Sequence, residues 1–320
     1  MNRRQVFILL ALAAALPGAY AQSGKWPDRP VRMVVPFAPG GGTDIVARLI
    51  SARLSEQFGQ QFVVDNRGGA GGIIGTEIAA KAAPDGYTLC TVSASYSANP
   101  ALYKLSYDPV KGITPISLLA AGPLIMVVHP SVKAHSLQEF LALARAKPEA
   151  INFGSSGTGS SIHLAFELFR QLTQIPVQHI PYKGTGPALT DLLGGQIQLM
   201  FSSAPAAIPQ IKAGKLRALA VTTEKRARSM PELPAIGEQV AGFQYSSWYG
   251  MWATAGTPQD TIGRLNRALA QILVRPELQE RLRADGVEPA HSTPEEFALR
   301  LDREIATWIK VVKAGNIKVE

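Results

Sequence analysis

Short apolar runs alternate along this chain with segments whose apolar residues recur three and four apart. Residues 31–36, 62–65 and 87–92 read as buried strands, and residues 44–58 and 73–83 as amphipathic helices. Within residues 44–58, Ile45, Val46, Leu49, Ile50 and Leu54 fall on one helical face. The β-α-β-α-β order predicts a parallel sheet with helices on both faces. A second run begins at residues 124–129 and continues with a helix at 137–146, a strand ending at Phe153 and a helix at 162–172. Strands follow at 177–180, 197–201 and 216–222, separated by helices at 187–193 and 204–213. After Pro258 the pattern is helical, at 259–274, 276–284 and 294–314. Two α/β blocks and a helical return predict an α/β protein in which the tail packs back on the first block. The chain then divides into 22–123 with 248–320, and 124–247, with crossings near 120–124 and 246–252. The aromatic cluster Trp248-Tyr249-Gly250-Met251-Trp252 at the second crossing is expected to pack between the domains.

Two strand-to-helix loops stand out within this frame. In Pro36-Phe37-Ala38-Pro39-Gly40-Gly41-Gly42-Thr43-Asp44 the glycines permit a tight turn and leave backbone N–H groups uncovered. Thr43 or Asp44 is the expected N-cap. Gly154-Ser155-Ser156-Gly157-Thr158-Gly159-Ser160-Ser161 repeats the arrangement, followed by a helix carrying Ile162, Ala165, Phe166, Phe169 and Leu172 on one face. A helix N-terminus presents unpaired donors and about half a positive charge. Two such ends a domain's length apart predict one small anion held between two lobes. Three consecutive glycines do not make the dinucleotide fingerprint, and no Gly-Lys-Ser/Thr ending follows. The second loop contains no G-x-S-x-G elbow.

The N-terminus changes the setting. Arg3 and Arg4 precede an apolar run from Val6 to Leu16, and Ala19-Tyr20-Ala21 offers small residues before a cut. This is a secretory signal peptide, residues 1–21, with cleavage expected after Ala21 and a periplasmic product. The apolar run is shorter than the roughly 20 residues a membrane-spanning helix needs. Net charge is +8, falling to +6 with Arg3 and Arg4 removed, and it forms no basic run of the nucleic-acid type. Cys90 is the single cysteine, lies in an apolar stretch and reads as a buried hydrophobe. His129, His135, His163, His179 and His291 show no metal-ligand spacing and read as surface or capping residues, so no metal or cofactor is expected.

Several stretches together resemble the Bug family, the extracytoplasmic receptors of tripartite tricarboxylate transporters. They include Trp26-Pro27-Asp28-Arg29-Pro30, the loop from Pro36 to Asp44, Asn66-Arg67-Gly68-Gly69-Ala70-Gly71-Gly72 and Pro84-Asp85-Gly86-Tyr87. Further along stand Phe153-Gly154-Ser155-Ser156-Gly157-Thr158-Gly159-Ser160, Pro181-Tyr182-Lys183-Gly184, Gly256-Thr257-Pro258 and Thr293-Pro294-Glu295-Glu296-Phe297. They span nearly all of the chain after the signal. Gly68 and Thr254 stand where prolines are usual, and Ser202-Ser203 lack the aspartate some members carry.

The resemblance implies a two-lobed periplasmic-binding-protein fold of type II, two Rossmann-like domains joined by crossing strands. It implies a monomeric, non-enzymatic receptor that captures a small carboxylate and delivers it to membrane permease subunits. Carried over by position, the first-lobe contacts are Phe37, Ala38, Gly42, Thr43 and Asp44, with Ser93 and Ser95 in a third loop. The second-lobe contacts are Ser155, Ser156, Thr158, Gly159 and Ser160, with Tyr182, Lys183, Gly184 and Ser202 nearby. Asp44 would cap or orient the loop, since its carboxylate repels an anion. Tyr182 would form wall, with its hydroxyl available to the ligand. Two other functions use the same residues differently: a ligand sensor feeding a membrane kinase, and a secreted hydrolase with Ser155 or Ser156 as nucleophile. The hydrolase needs a base and an orienting acid beside the serine, and only His163 is near in sequence.

Overall fold

The computed structural model describes residues 26–315; the signal peptide expectation lies outside them. In chain order the elements are β1 (Val31–Val35), α1 (Gly42–Phe58), β2 (Phe62–Asn66), α2 (Ile73–Ala80), β3 (Thr88–Ser93), α3 (Ser95–Leu102) and β4 (Ile113–Gly122). Next come β5 (Leu124–Val128), α4 (Leu137–Ala146), β6 (Asn152–Ser155), α5 (Ser161–Thr173), β7 (Gln178–Pro181), α6 (Thr185–Leu193), β8 (Leu199–Ser203), α7 (Ala204–Lys212) and β9 (Arg217–Val221). The chain closes with β10 (Ser247–Thr254), α8 (Gln259–Leu273), α9 (Pro276–Ala284), β11 (Glu288–Pro289) and α10 (Pro294–Gly315).

Two sheets form two lobes, in the orders β11-β4-β10-β3-β1-β2 and β7-β6-β8-β5-β9. Both are mixed where an all-parallel sheet is expected from the β-α-β rhythm. β1 pairs parallel with β2 and β3, but β10 runs antiparallel between β3 and β4. In the second sheet β6 is parallel to β7 and β8, while β5 is antiparallel to β8 and β9. The antiparallel members β5 and β10 are the strands by which the chain enters the second sheet and returns to the first. Each arrives directly from the other lobe, without the helical crossover a parallel pair requires.

The second lobe's core joins Phe153, Phe166, Phe169 and Phe201, with Phe153 and Phe166 stacked at 3.7 Å. In the first lobe, Val46, Ala47, Ile50 and Leu54 of α1 are buried against Met33, Val35, Leu265 and Leu269. Trp248 and Trp252 correct an expectation. Both lie in the first lobe's own core with Tyr96, Phe297 and Leu301, because β10 is a central strand of that sheet. Helix α10 covers this core, and its Glu304 accepts from Trp248 Nε1 at 2.9 Å and from Ser97 Oγ at 2.9 Å. Further along α10, Trp308 packs on Tyr245 of the second lobe.

Candidate functional site

The carboxyl ends of β1, β3, β6, β7 and β8 feed loops that face one another between the lobes. Ligands of open α/β sheets bind at such strand ends. Helix α1 begins at Gly42 with Gly41 as N-cap and no side-chain capping bond, so neither Thr43 nor Asp44 caps it. Asp44 orients the loop instead. Its Oδ2 accepts the Gly40 N–H at 3.0 Å, its Oδ1 accepts from Asn66 Nδ2 at 2.9 Å, and Arg48 pairs with it at 3.0 Å. Burial pushes the Asp44 carboxyl up, but these bonds from Arg48, Gly40 and Asn66 outweigh it and hold it below the usual carboxylate range.

A small cavity of about 20 Å³ sits at the centre, lined by Phe37, Gly41, Gly42, Thr43 and Ser93 from one side and Ser156, Ser161, Ile162, Thr185 and Ser203 from the other. Leu124, Ser247 and Tyr249 complete it from the crossing segments. Its volume holds about one water-sized group. Three direct bonds close the lobes over it. Gly42 N–H donates to Ser203 Oγ at 3.0 Å, Ala38 N–H to the Lys183 carbonyl at 3.1 Å, and Tyr103 OH to the Thr158 carbonyl at 2.9 Å. Gly184 fits because a Cβ there would meet Ala38 N at 2.8 Å.

The sequence-predicted residues therefore divide. Phe37, Gly42, Thr43, Ser93 and Ser156 line the cavity. Thr158, Tyr182 and Lys183 instead line an outer, open pocket of about 560 Å³ with Ala70, Gly71 and Tyr103. Ala38 and Gly184 meet at the lobe contact between the two pockets. Four hydroxyls are committed elsewhere. Ser160 Oγ caps α5 by accepting the His163 N–H at 3.3 Å, and Ser95 Oγ pairs with Ser93 Oγ at 3.1 Å. Tyr182 OH donates to Asp191 Oδ2 at 2.7 Å, and burial together with this carboxylate pushes its pKa up to about 12. That hydroxyl is not free for a ligand, contrary to expectation. Ser155 Oγ is fully buried, accepts the Gly157 N–H at 3.1 Å and pairs with His179 Nε2 at 2.6 Å.

Ser202 corrects a further expectation. Successive strand residues face opposite ways, so when Ser203 reaches Gly42 across the cleft, Ser202 faces the other side of β8. Ser203 directly precedes the Ala204-Pro205 start of α7, but that helix-start signal does not tell which of the two serines faces the cleft. Tyr249 and Ser247 carried no such signal. Only their place on β10 turns them toward the cavity, where burial pushes the Tyr249 hydroxyl pKa up.

The histidines also differ from expectation. His163 is buried and stacks on His179 at 4.2 Å, so neither is a surface residue of the ordinary kind. The Ser155–His179 contact was not legible in the sequence, yet it does not assemble a triad. Glu167 lies 3.8 Å from Nε2 of the other ring, His163, and is engaged by Arg170 at 2.6 Å. Among the described residues no group of three or more His, Cys, Asp or Glu is gathered for a metal ion, and no helix is long and apolar enough to cross a membrane. Another cavity of about 540 Å³, lined by Ile208, Met230, Leu233 and Arg283, touches none of these loops.

Comparison with known proteins agrees with this architecture. The sequence profile of the tripartite tricarboxylate transporter family receptor matches residues 46–317. The solved structure of the periplasmic binding protein BugD is 35% identical, with a TM-score of 0.89 over 92% of this chain and 100% of that one. An R. palustris protein, Rpa4515, solved with adipate, is 39% identical with a TM-score of 0.88, covering 92% and 99% of the two chains. MatC from Rhodopseudomonas palustris, solved with bound malate, is 33% identical with a TM-score of 0.85, covering 90% and 100%. With facing helix starts, two mixed sheets and matches of this extent, the chain belongs to the tripartite tricarboxylate transporter receptor family, whose solved relatives are periplasmic binding proteins.

Proposed function

We propose that this chain is a periplasmic receptor that closes its two lobes on a small carboxylate, a dicarboxylate first among the candidates, and delivers it to the membrane permease of a tripartite transporter. In this reading it works as a monomer, performs no catalysis, and is exported with residues 1–21 removed. The lobes are 22–123 with 248–320, and 124–247, a division that fits the sheet membership of β4, β5 and β10. The observation that carries the proposal is the central cavity, flanked by the starts of α1 and α5 and lined by hydroxyls, with no lysine or arginine at its wall. Helix starts and hydroxyls suit a carboxylate, and charge-assisted bonds of this kind are each worth about 1.5–3 kcal/mol. One carboxylate enters between Gly42, Thr43, Ser156 and Ser161, and the second end of the ligand runs toward the outer pocket and Lys183. The adipate- and malate-bound relatives support a dicarboxylate.

A thermal-shift panel of mono-, di- and tricarboxylates tests this reading. We expect one class, at concentrations well above its Kd, to raise Tm by several degrees, with no product formed. Stoichiometric labelling of Ser155 or Ser156 by a fluorophosphonate would replace the receptor with a hydrolase.

A further inference from the structure

Behind the loop between β6 and α5 lies a pair of imidazoles whose bonds run into that loop's own backbone. His163 of α5 and His179 of β7 stack at 4.2 Å with 17° between planes. The Gly159 N–H donates to His163 Nδ1 at 3.1 Å. His179 Nε2 pairs at 2.6 Å with Ser155 Oγ, which accepts the Gly157 N–H at 3.1 Å. Two donors of the glycine loop thus end, directly or through one hydroxyl, on ring nitrogens. A backbone N–H can only donate, so His163 Nδ1 must present its lone pair and the ring's proton sits on Nε2. A second proton on Nδ1 would set two donors against each other and place positive charge against the stacked neighbour.

The charged and titratable groups around the pair are few. Glu167 on α5 lies 3.8 Å from His163 Nε2, beyond hydrogen-bond reach, and is engaged by Arg170 at 2.6 Å. Tyr182 follows β7 and is bonded to Asp191, and Tyr103 of the first lobe reaches the loop at the Thr158 carbonyl.

We infer that His163, with His179 behind it, is a positioning pair that holds the loop of residues 155–160 in shape only while both rings are neutral, so that acid opens this wall of the cleft. The inference rests on the reading of that loop as one side of the carboxylate site. Burial, with Arg170 adding to it, pulls the His163 pKa down to about 4. Burial and the neighbouring His163 pull His179 down to about 3. In an opened loop each ring regains its ordinary value of about 6.5. A group depressed in the closed state binds its proton preferentially in the open one, so opening is favoured as pH falls below about 6.5.

Native-state hydrogen exchange over residues 155–160, corrected for intrinsic rates, reads the opening directly and without ligand. For His163 alone, the opening constant should rise about twentyfold between pH 7 and pH 5. His163→Asn keeps an acceptor near the Nδ1 position but cannot titrate, so its loop should keep only the share that His179 contributes and rise about twentyfold less than the wild type. An equal rise in His163→Asn, or a flat wild type, would overturn the inference. Should the variant fail to fold, the two-bond proton–nitrogen spectrum of wild-type histidines decides. An Nε2–H tautomer titrating well below 6 supports the pair, and an Nδ1–H tautomer or titration near 6.5 refutes it. Calorimetry with adipate at pH 7 adds a binding arm, in which His163→Leu should bind at least fivefold more weakly than His163→Asn. Failure of adipate and malate to bind the wild type would count against the carboxylate reading and leave the exchange result to judge the histidines.

Discussion

At the scale of the residue, the site turns on backbone room and on which hydroxyl faces the cleft. A Cβ on Gly42 would collide with the Tyr249 hydroxyl and with Ser203 Oγ at 2.9 Å, both on buried residues. Gly42→Ala should therefore hold the lobes apart and weaken dicarboxylate binding at least tenfold by calorimetry, while the fold persists because α1 still buries its apolar face. Unchanged affinity would mean that the carboxylate does not use this helix start. Asp44 makes a different prediction. Its side chain is 5% exposed and each of its partners donates to it. Asp44→Asn turns one acceptor into a donor facing Gly40 N–H or Arg48, and should destabilise the protein by about 1–3 kcal/mol in a urea titration. The Asp44 carboxylate was legible as an orienting group because an acidic residue at an anion-binding loop must face its own backbone. Ser203 was not, since β8 had to be placed before its two serines could be told apart.

Helices with a strong apolar face are legible as elements, and two of them match their pattern at both ends. Residues 137–146 and 276–284 coincide with α4 and α9. Elements with weak patterns escape. Helix α3 contains Ser95, Ser97, Asn99 and Pro100, which disfavour a helix interior, and it forms because Tyr96 and Ala98 are buried and Glu304 of α10 binds Ser97. Strand β4 carries Pro115 and no period-two alternation, yet it pairs with β10 along most of its length. The link between these elements is testable. Glu304 satisfies the buried Trp248 Nε1–H, and Glu304→Leu would leave that donor unpaired. We expect a loss of about 1–3 kcal/mol, read as a lower urea midpoint with the denaturant slope unchanged. A stability equal to wild type would show that α10 holds to the first lobe through Phe297 and Leu301 alone.

On the scale of the whole molecule, three inter-lobe bonds at the cleft loops and a cavity of about 20 Å³ describe a state closed too tightly for an adipate-sized ligand. On the proposed reading, binding requires the lobes to part, Gly42 N–H to exchange Ser203 for a carboxylate, and the lobes to close again. Small-angle scattering should give a ligand-free radius of gyration larger than that of the closed structure, contracting with dicarboxylate. A radius already at the closed value, and unmoved by saturating ligand, would remove lobe closure from the mechanism. Acid should also loosen the molecule. His163 is depressed in the folded state, so its contribution is complete above the unfolded value of about 6.5 and is lost as pH falls toward 4. Between pH 7 and pH 5 the loss amounts to roughly 2 kcal/mol if the loop opens with global unfolding. The fall in Tm over that range should accordingly be smaller in His163→Asn than in the wild type.

Periodicity and loop composition by themselves determined the two α/β blocks, the helical return and the two glycine-rich helix starts, because burial of an apolar face imposes its spacing locally. The family motifs determined the receptor architecture. Tertiary structure alone decided that β10 inserts between β3 and β4, that Tyr249 and Ser203 close the cavity, and that His179 meets Ser155 from 24 residues away. These depend on which strands become neighbours and which face of each strand looks inward. Such pairings are settled by the packing of the whole chain, and no local run of residues carries them.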